Sequence, residues 1–317
     1  MHESSVTLED RLRGSIIAGG GTPPPKDEKP GSDIAPGLYK DVSFEEYLSW
    51  PFVHHSDLVK FNRTPAHVRE SMLHPLKATA AMEFGQAYHC AILEPGRFAK
   101  SYIPTIATDS EGKKLDKRTK VGKASWEEFE KNTRGMTILD GSDYDTMIGM
   151  QRRIWRHPTA KEMLSAPGHS EVSIVWKDEE TGLLCKARLD RVAVYMGYPY
   201  LIDLKTTDRD ASERGVTNTI GSYKYHQQAG MYHAGMEALF PGPYRKFAFI
   251  FQEKERPYEP SVNDLDDIAL AQGKSQFRKH INRFRECLET GEWPGHGDGI
   301  GLVSIPQWAM NQEDLVG

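Results

Sequence analysis

Residues 183–207 read LLCKARLDRVAVYMGYPYLIDLKTT. The apolar and β-branched residues on either side of a turn at Gly197–Tyr198–Pro199 predict two neighbouring β-strands. Asp190 lies on the first strand and Asp203 on the second. Because side chains alternate along a strand, Asp203 and Lys205 project from one face. Two carboxylates on adjacent strands, with a lysine beside one of them, can hold a divalent cation next to a phosphate.

The first of these strands separates into two faces by the same alternation. We expect one face to carry Lys186, Arg188 and Asp190, and the other to carry Cys185, Ala187 and Leu189. The preceding segment 171–176, EVSIVW, alternates in the same way, and DEETG at 178–182 predicts the hairpin turn between the two strands.

Composition sets broad limits on the class of protein. The 317 residues are 38% hydrophobic and 27% charged, which is typical of a soluble globular protein. No apolar run reaches the ~18 residues of a membrane span, and the first residues do not have the layout of a signal peptide. Three widely spaced cysteines favour reduced thiols in the cytosol. A net charge of −5 argues mildly against a protein coated in nucleic acid, but it is compatible with a nuclease that contacts DNA locally.

Two segments have compositions that differ from the rest. Residues 1–36 are rich in Pro and Gly, and we expect a flexible tail followed by a single domain at 37–317. Residues 104–135 form a polar insertion rich in lysine. This insertion is either a solvated loop or an arm that follows DNA phosphates.

The remaining pattern predicts helices and one more strand. Helices are expected after Ser43 and after Thr64-Pro65, across 81–94, across 140–165 with a break at His157-Pro158, across 223–240, and from about 262 to 290; a strand is expected at 246–255. Core positions of the last helix are Phe277, Ile281, Phe284 and Leu288, and Trp293 and Trp308 are expected to pack on the body.

His89 lies on the helix over 81–94, four residues after Gly85 and on the same face. The small residue would let a ligand or another backbone approach the histidine closely. The alternative is a core histidine that hydrogen-bonds a carbonyl group.

Four motifs follow one another along the chain: GQAYHCAILEP with His89, the strand pair that ends in KARLD with Asp190, LIDLKTT, and YKYHQQAGMY with Gln228 and Tyr232. In this order they resemble the PD-(D/E)xK nuclease superfamily, and more closely its RecE-type exonuclease branch of phages and prophages. The resemblance covers about residues 39–258. One departure is Leu189, which stands where the family name places a proline.

The resemblance implies an α/β, restriction-endonuclease-like fold, with a mixed central sheet flanked by helices. It also implies Mg²⁺, with Mn²⁺ as a substitute, held by His89, Asp190, Asp203 and the carbonyl of Leu204. Lys205 would act electrostatically on the phosphate, because neighbouring carboxylates favour its charged form. The alternative for Asp203 and Lys205 is an ion pair on the strand surface, which would contribute little.

The same resemblance implies that Gln228 and Tyr232 orient DNA or the lysine; the alternative is that they only join the helix to the sheet. Lys186 and Arg188 share the strand face of Asp190, so we expect them to contact DNA phosphates, with neutralisation of the acidic cluster as the alternative for Arg188. Glu171 either lies near the metal or only ends a strand.

The implied activity is 5′-to-3′ exonuclease digestion of double-stranded DNA ends, which supplies single strands to a recombination annealing protein. The implied setting is a homo-oligomeric ring without membrane attachment, in the cytoplasm of a bacterial host. Two alternatives remain: another nuclease of the superfamily, cutting single strands or nicking duplexes, and a non-catalytic DNA-binding module.

Overall fold

A computed structural model describes residues 16–18, 34–74, 77–242 and 245–306. Its strands are β1 Ile16–Ala18, β2 Gly37–Lys40, β3 Tyr102–Pro104, β4 Thr137–Leu139, β5 Gly168–Lys177, β6 Leu184–Tyr195, β7 Tyr198–Thr207, β8 Lys246–Glu253 and β9 Pro260–Asp264. Its helices are α1 Phe44–Ser49, α2 His55–Leu58, α3 Pro65–Leu73, α4 Ala80–Leu93, α5 Pro95–Ser101, α6 Lys120–Asn132, α7 Gly141–Ile154, α8 Pro158–Ser165, α9 Glu213–Tyr223, α10 Tyr225–Leu239 and α11 Asp267–Thr290, with a short 3-10 helix at Val59–Asn62.

The main sheet is mixed and has the strand order β1-β2-β5-β6-β7-β8-β9. Strands β2, β5, β6 and β7 pair antiparallel, β7 pairs parallel with β8, and β8 pairs antiparallel with β9. Strands β3 and β4 form a separate parallel pair. The α/β fold with a mixed sheet flanked by helices is therefore confirmed. Within the described ranges, none of the helices is both long and apolar enough to cross a membrane.

Helices cover both faces of the sheet because the central strands are apolar on both sides. One core cluster joins the predicted face of β6, Cys185, Ala187 and Leu189, to helices α10 and α11. A second cluster joins Leu204 and other β7 and β8 residues to α4, α7 and α8. The period-two prediction for β6 is confirmed. Neighbouring residues of β7 consequently face different helices.

Several predicted helix boundaries are confirmed by their caps. The Ser43 side chain accepts a hydrogen bond from the Glu46 N–H and starts α1. Thr64 caps α3 in the same way, and Pro158 starts α8 after the expected break. The hairpin before β6 is also confirmed, because the Asp178 N–H donates to the Leu183 carbonyl at 2.8 Å.

The last helix differs from the prediction at its start and at one core position. It begins at Asp267, because residues 260–264 pair with β8 as a strand and Asp266 caps the helix. Leu288 is 46% exposed, and Cys287 is buried in its place. The Trp293 ring packs edge-on against Phe284, with 5.8 Å between their centroids, as expected.

The expected N-terminal tail lies mostly outside the described residues, as does Trp308. Residues 16–18 differ from that expectation, because they form β1 beside β2. The lysine-rich insertion also contains regular structure: α6 begins at Lys120, and β3 and β4 lie on either side of the helix.

Helices α10 and α11 cross at two glycines. A Cβ on Gly230 would lie 2.2 Å from the backbone of Gly273, and a Cβ on Gly273 would lie 1.9 Å from the His226 carbonyl oxygen. The two backbones therefore touch, which only glycine permits. This contact sets the position of α10, the helix that carries Gln228.

Gly273→Ala should lower the free energy of unfolding by about 1–3 kcal/mol, because the added methyl group forces α10 and α11 apart. Urea titration followed by circular dichroism would measure the change. The matched control is Gly221→Ala in α9, where a Cβ meets no atom within 4 Å and helix propensity should make the change neutral or stabilising. Equal stability of both variants would contradict the close crossing.

Candidate active site

The site forms where β6 and β7 separate. Their ladder runs from Tyr195–Tyr198 to Arg191–Ile202 and then stops, while β7 continues beside β8 to Thr207. In the opening, the Leu204 N–H donates to Asp190 Oδ2 at 2.7 Å. A carboxylate thus takes the place of the carbonyl group that would continue the ladder.

His89 approaches the same opening from α4. Its Nε2 lies 3.2 Å from the Leu204 carbonyl oxygen, which can only accept, so this nitrogen carries a proton. Its Nδ1 faces two carboxylates, 3.3 Å from Asp190 and 3.9 Å from Glu171. A backbone carbonyl bound to the second ring nitrogen is the usual support of a metal-ligating histidine. Gly85 leaves open space one turn away, since a Cβ there meets nothing within 4 Å.

His89, Glu171 and Asp190 form a candidate metal group. One ligand atom from each lies within 4.8 Å of the others. An imidazole and two carboxylates suit a divalent cation that retains several of its own waters. Glu171 lies inside β5 rather than at a strand end, and its φ of 54° is unusual for a residue other than glycine. Glu171 is expected either to lie near the metal or only to end a strand. Its position inside β5 and beside His89 and Asp190 agrees with the first interpretation.

Asp203 and Lys205 face the opposite side of β7, toward α10. The Lys205 ammonium lies 2.5 Å from Asp203 Oδ2, and the Gln228 amide donates to Asp203 Oδ1 at 2.9 Å. The same amide donates to the Tyr232 hydroxyl at 3.0 Å. Asp203 is only 2% exposed, so the alternative of a surface ion pair is wrong. Asp203 lies outside the three-residue metal group, and its role as a ligand stays a prediction.

The charges of the metal group shift one another's pKa. Burial alone would lower the pKa of His89, but the Asp190 and Glu171 carboxylates raise it to about 9. Burial alone would raise the pKa of Asp190, but His89 and Lys205 hold it below its usual value. Burial and the charge of Asp190 raise the pKa of Glu171. Without a metal, His89 is therefore a cation that neutralises the acids around it.

On the α10 side, burial raises the pKa of Asp203 to about 6, against the opposing charge of Lys205. Burial alone would lower the pKa of Lys205, but Asp203 and Asp190 raise it. A lysine that stays charged is suited to stabilise negative charge on a phosphate and is a poor general base. This matches the electrostatic role predicted for Lys205.

Lys186 of β6 is buried away from the surface. Lys186 is 2% exposed, and its ammonium donates to the carbonyl groups of Tyr47, Leu48 and Trp50 at 2.8, 3.1 and 2.6 Å. The expected DNA contact of Lys186 is therefore wrong, because the side chain binds the end of α1.

Arg188 donates to Glu171 at 2.6 Å and to the Val42 carbonyl at 2.9 Å. Of its two alternatives, neutralisation of the acidic cluster matches this geometry.

The lysine-rich insertion makes contacts mainly within itself. Lys113 pairs with Glu111 at 3.0 Å, and Lys117 lies 2.9 Å from the Trp126 ring centroid. Both alternatives for this segment, a solvated surface or a phosphate-binding arm, stay open.

One residue at the site was missed from the sequence. The Lys205 ammonium lies over the Tyr225 ring, 4.7 Å from its centroid. The signal was available, since Tyr225 precedes Gln228 by three residues and thus shares its helical face.

A mixed sheet with Asp190, Asp203 and Lys205 on adjacent inner strands defines a PD-(D/E)xK-like fold. Residues 54–304 match the family model described as "PDDEXK-like domain of unknown function (DUF3799)". The chain belongs to this family, which supports a nuclease as the class of enzyme.

Among solved structures, the chain is similar to a provisionally named exonuclease from Eubacterium rectale. The TM-score is 0.50 at 13% identity, with 84% of this chain and 92% of that chain covered, so the likeness concerns the fold alone. A second structure, of a protein named SSO0001, has a TM-score of 0.31 at 13% identity, covers 74% of this chain and 81% of that chain, and carries no argument. Among proteins with curated descriptions, none matches this sequence.

Binding of a divalent cation should release a proton from His89. The ion needs the Nδ1 lone pair, while a pKa of about 9 keeps that nitrogen protonated at neutral pH. Affinity should therefore rise by up to ~10-fold per pH unit from pH 7 and level off above the pKa. Calorimetry of Mn²⁺ binding in buffers of different ionisation enthalpy would count the protons released.

His89→Gln should lose this pH dependence, whereas His74→Gln, at an exposed histidine, should retain it. Metal binding by the unaltered protein with no proton release would exclude His89 as a ligand.

Lys186→Met should lower the free energy of unfolding by about 1–3 kcal/mol, because three carbonyl groups lose their donor. It should leave the salt dependence of DNA binding unchanged, since the ammonium reaches no phosphate. Lys131→Met, at an exposed lysine of α6, is the control for stability. A reduced salt slope with unaltered stability would restore the DNA-contact role.

Proposed function

We propose that this protein is a metal-dependent deoxyribonuclease that digests double-stranded DNA from its ends. The observation that carries the proposal is the convergence of His89, Glu171 and Asp190 beside the buried pair Asp203–Lys205. Both parts, a cation site and a fixed positive charge next to it, stabilise the charge that develops during phosphodiester hydrolysis. Membership of the PDDEXK-like family supports the same class of reaction.

Residues on the α4 side of β7 would bind the cation, and residues on the α10 side would supply the fixed positive charge. His89 Nδ1 with the Glu171 and Asp190 carboxylates would hold Mg²⁺ or Mn²⁺, and the sequence resemblance adds Asp203 and the Leu204 carbonyl as ligands. When bound, the cation supplies Lewis-acid charge at the phosphate and lowers the pKa of water at the site. The donor set fits this role, because oxygen and imidazole ligands suit hard and borderline divalent ions.

Lys205 would stabilise the charge that develops on the attacked phosphate. Asp203 and the Tyr225 ring fix its ammonium, so little reorganisation is needed during the reaction. Gln228 holds Asp203 from the other side and is itself tied to Tyr232, which keeps the pair in place. Gln228 and Tyr232 are thus positioning residues, and their contact with DNA is part of the proposal.

The finer features rest on the resemblance to RecE-type exonucleases. They are 5′-to-3′ polarity, release of single strands to an annealing recombinase, a homo-oligomeric ring, and action in the cytoplasm of a bacterium on behalf of a phage or prophage.

Duplex DNA labelled separately at each 5′ and 3′ end tests the reaction. With Mg²⁺ we expect the 5′ label to be released as mononucleotides or short products before the 3′ label is released. In EDTA we expect neither label to be released. Closed circular duplex should stay intact. Cleavage of circles would show that the protein is an endonuclease rather than an exonuclease. Release of the 3′ label first would show that digestion runs 3′-to-5′.

Lys205→Met should lower the rate of hydrolysis by about 10²–10³-fold, since it removes a preorganised charge at the phosphate. Asp203→Ala should lose activity at least as strongly. The matched control is Lys246→Met, because Lys246 pairs with Asp264 at the opposite end of the sheet. Full activity of Asp203→Ala would show that the site is wrongly assigned.

A further inference from the structure

An aromatic stack extends outward from the candidate catalytic lysine. The Lys205 ammonium lies 4.7 Å from the centroid of Tyr225. The Tyr223 ring stacks on Tyr225 with 5.6 Å between centroids and 16° between planes. Lys205, Tyr225 and Tyr223 therefore form a continuous column from the site to the surface.

The inner ring of the column is held and the outer ring is open. Tyr225 packs against Phe249 and Phe251 of β8, at 6.0 and 6.1 Å between centroids. Tyr223 is 56% exposed, although large aromatic side chains usually bury most of their surface. Only one residue separates the open ring from the supported one.

An unusual backbone conformation creates the stack. Helix α9 ends at Tyr223, α10 begins at Tyr225, and Lys224 between them has φ 60° and ψ 34°. This left-handed conformation is strained for a lysine, whereas a glycine would adopt it freely. Lys224 thus joins the two helices through a single residue, and the rings on either side of it stack on each other.

We propose that Tyr223 is a stacking platform for a nucleobase close to the nucleotide whose phosphate lies at Lys205. The inference rests on the proposed nuclease function and adds a positioning residue to it. Exposed rings next to cations are the usual means of binding single-stranded nucleic acid without regard to sequence, because every base has a flat face. The two steps of the column, 4.7 and 5.6 Å, together span at most about three nucleotides at ~3.4 Å per base.

A base on this platform would have left its partner in the duplex. Tyr223 would therefore bind the strand that is being cut as it enters the site, and would oppose its return to the duplex. The competing explanation is that Tyr223 only shields Tyr225 from water. Shielding needs an apolar ring but no base, so the two explanations differ in their dependence on the nucleobase.

Binding of fluorescent single-stranded oligonucleotides in EDTA tests the proposal without hydrolysis. Tyr223→Ala should weaken binding by about 5- to 100-fold, the range for one lost base stack, while Tyr223→Phe should bind like the unaltered protein. The matched control is Tyr198→Ala, because Tyr198 is equally exposed, at 55%, on the turn before β7. Circular dichroism melts would establish that the variants are folded.

Oligonucleotides with one abasic site at successive positions identify the base. An abasic site at one particular position should weaken binding by the unaltered protein to the level of Tyr223→Ala, and should have no further effect in that variant. The platform would be supported if Tyr223→Ala weakened binding more than Tyr198→Ala did and if the abasic site had no further effect in Tyr223→Ala. Binding that is insensitive to abasic sites, or no binding to the oligonucleotides, would overturn it.

These outcomes are separate from those of the nuclease assay. Mg²⁺-dependent digestion by the unaltered protein, with equal behaviour of the two alanine variants, would refute only the platform. Base-dependent binding through Tyr223 without any digestion would refute only the nuclease.

Discussion

The hydrogen bond from the Leu204 N–H to the Asp190 carboxylate is the contact on which the site depends. It links β6 and β7 at the point where their ladder of hydrogen bonds ends. It also provides an acceptor for a buried N–H that has no partner in the ladder. The carbonyl of Leu204 is likewise released from the ladder, and it orients His89. A single residue of β7 thus fixes the carboxylate and the imidazole relative to each other through its backbone N–H and carbonyl groups.

Because side chains alternate along β7, its two charged residues face α10 and the leucine between them faces α4. Leu204 packs in the core on the α4 side, while Asp203 and Lys205 face α10. The acids Asp190, Asp203 and Glu171 are balanced by three cations, Lys205, Arg188 and His89. Each pair lowers the cost of burying its partner, which is why the pKa values of Lys205 and His89 are raised together. Replacement of a proton by a divalent ion at His89 would preserve much of this balance.

Local sequence patterns predicted the strands and helices because side-chain alternation and helix capping depend on residues that are close together in the sequence. Alternation marked β5 and β6, caps marked α1 and α3, and the Asp-x-Lys triplet marked the site. The same reasoning failed for Lys186, whose position beside Asp190 on one strand face indicated a DNA contact. A strand face is not uniformly exposed, and α1 covers this part of it. It also underestimated Glu171, because the left-handed backbone that places its carboxylate has no signal in the sequence.

The sequence by itself determined the fold class, the order of the elements and the residue types of the site, since alternation, capping and motif order are properties of short segments. Only the tertiary structure decided which groups meet. The ladder ends beside Asp190 rather than elsewhere, Glu171 joins His89, and Tyr223 stacks outside Tyr225. These are contacts between segments far apart in the chain or across the left-handed residue that joins two helices. They depend on how the strands diverge and the helices pack, which short-range patterns do not encode.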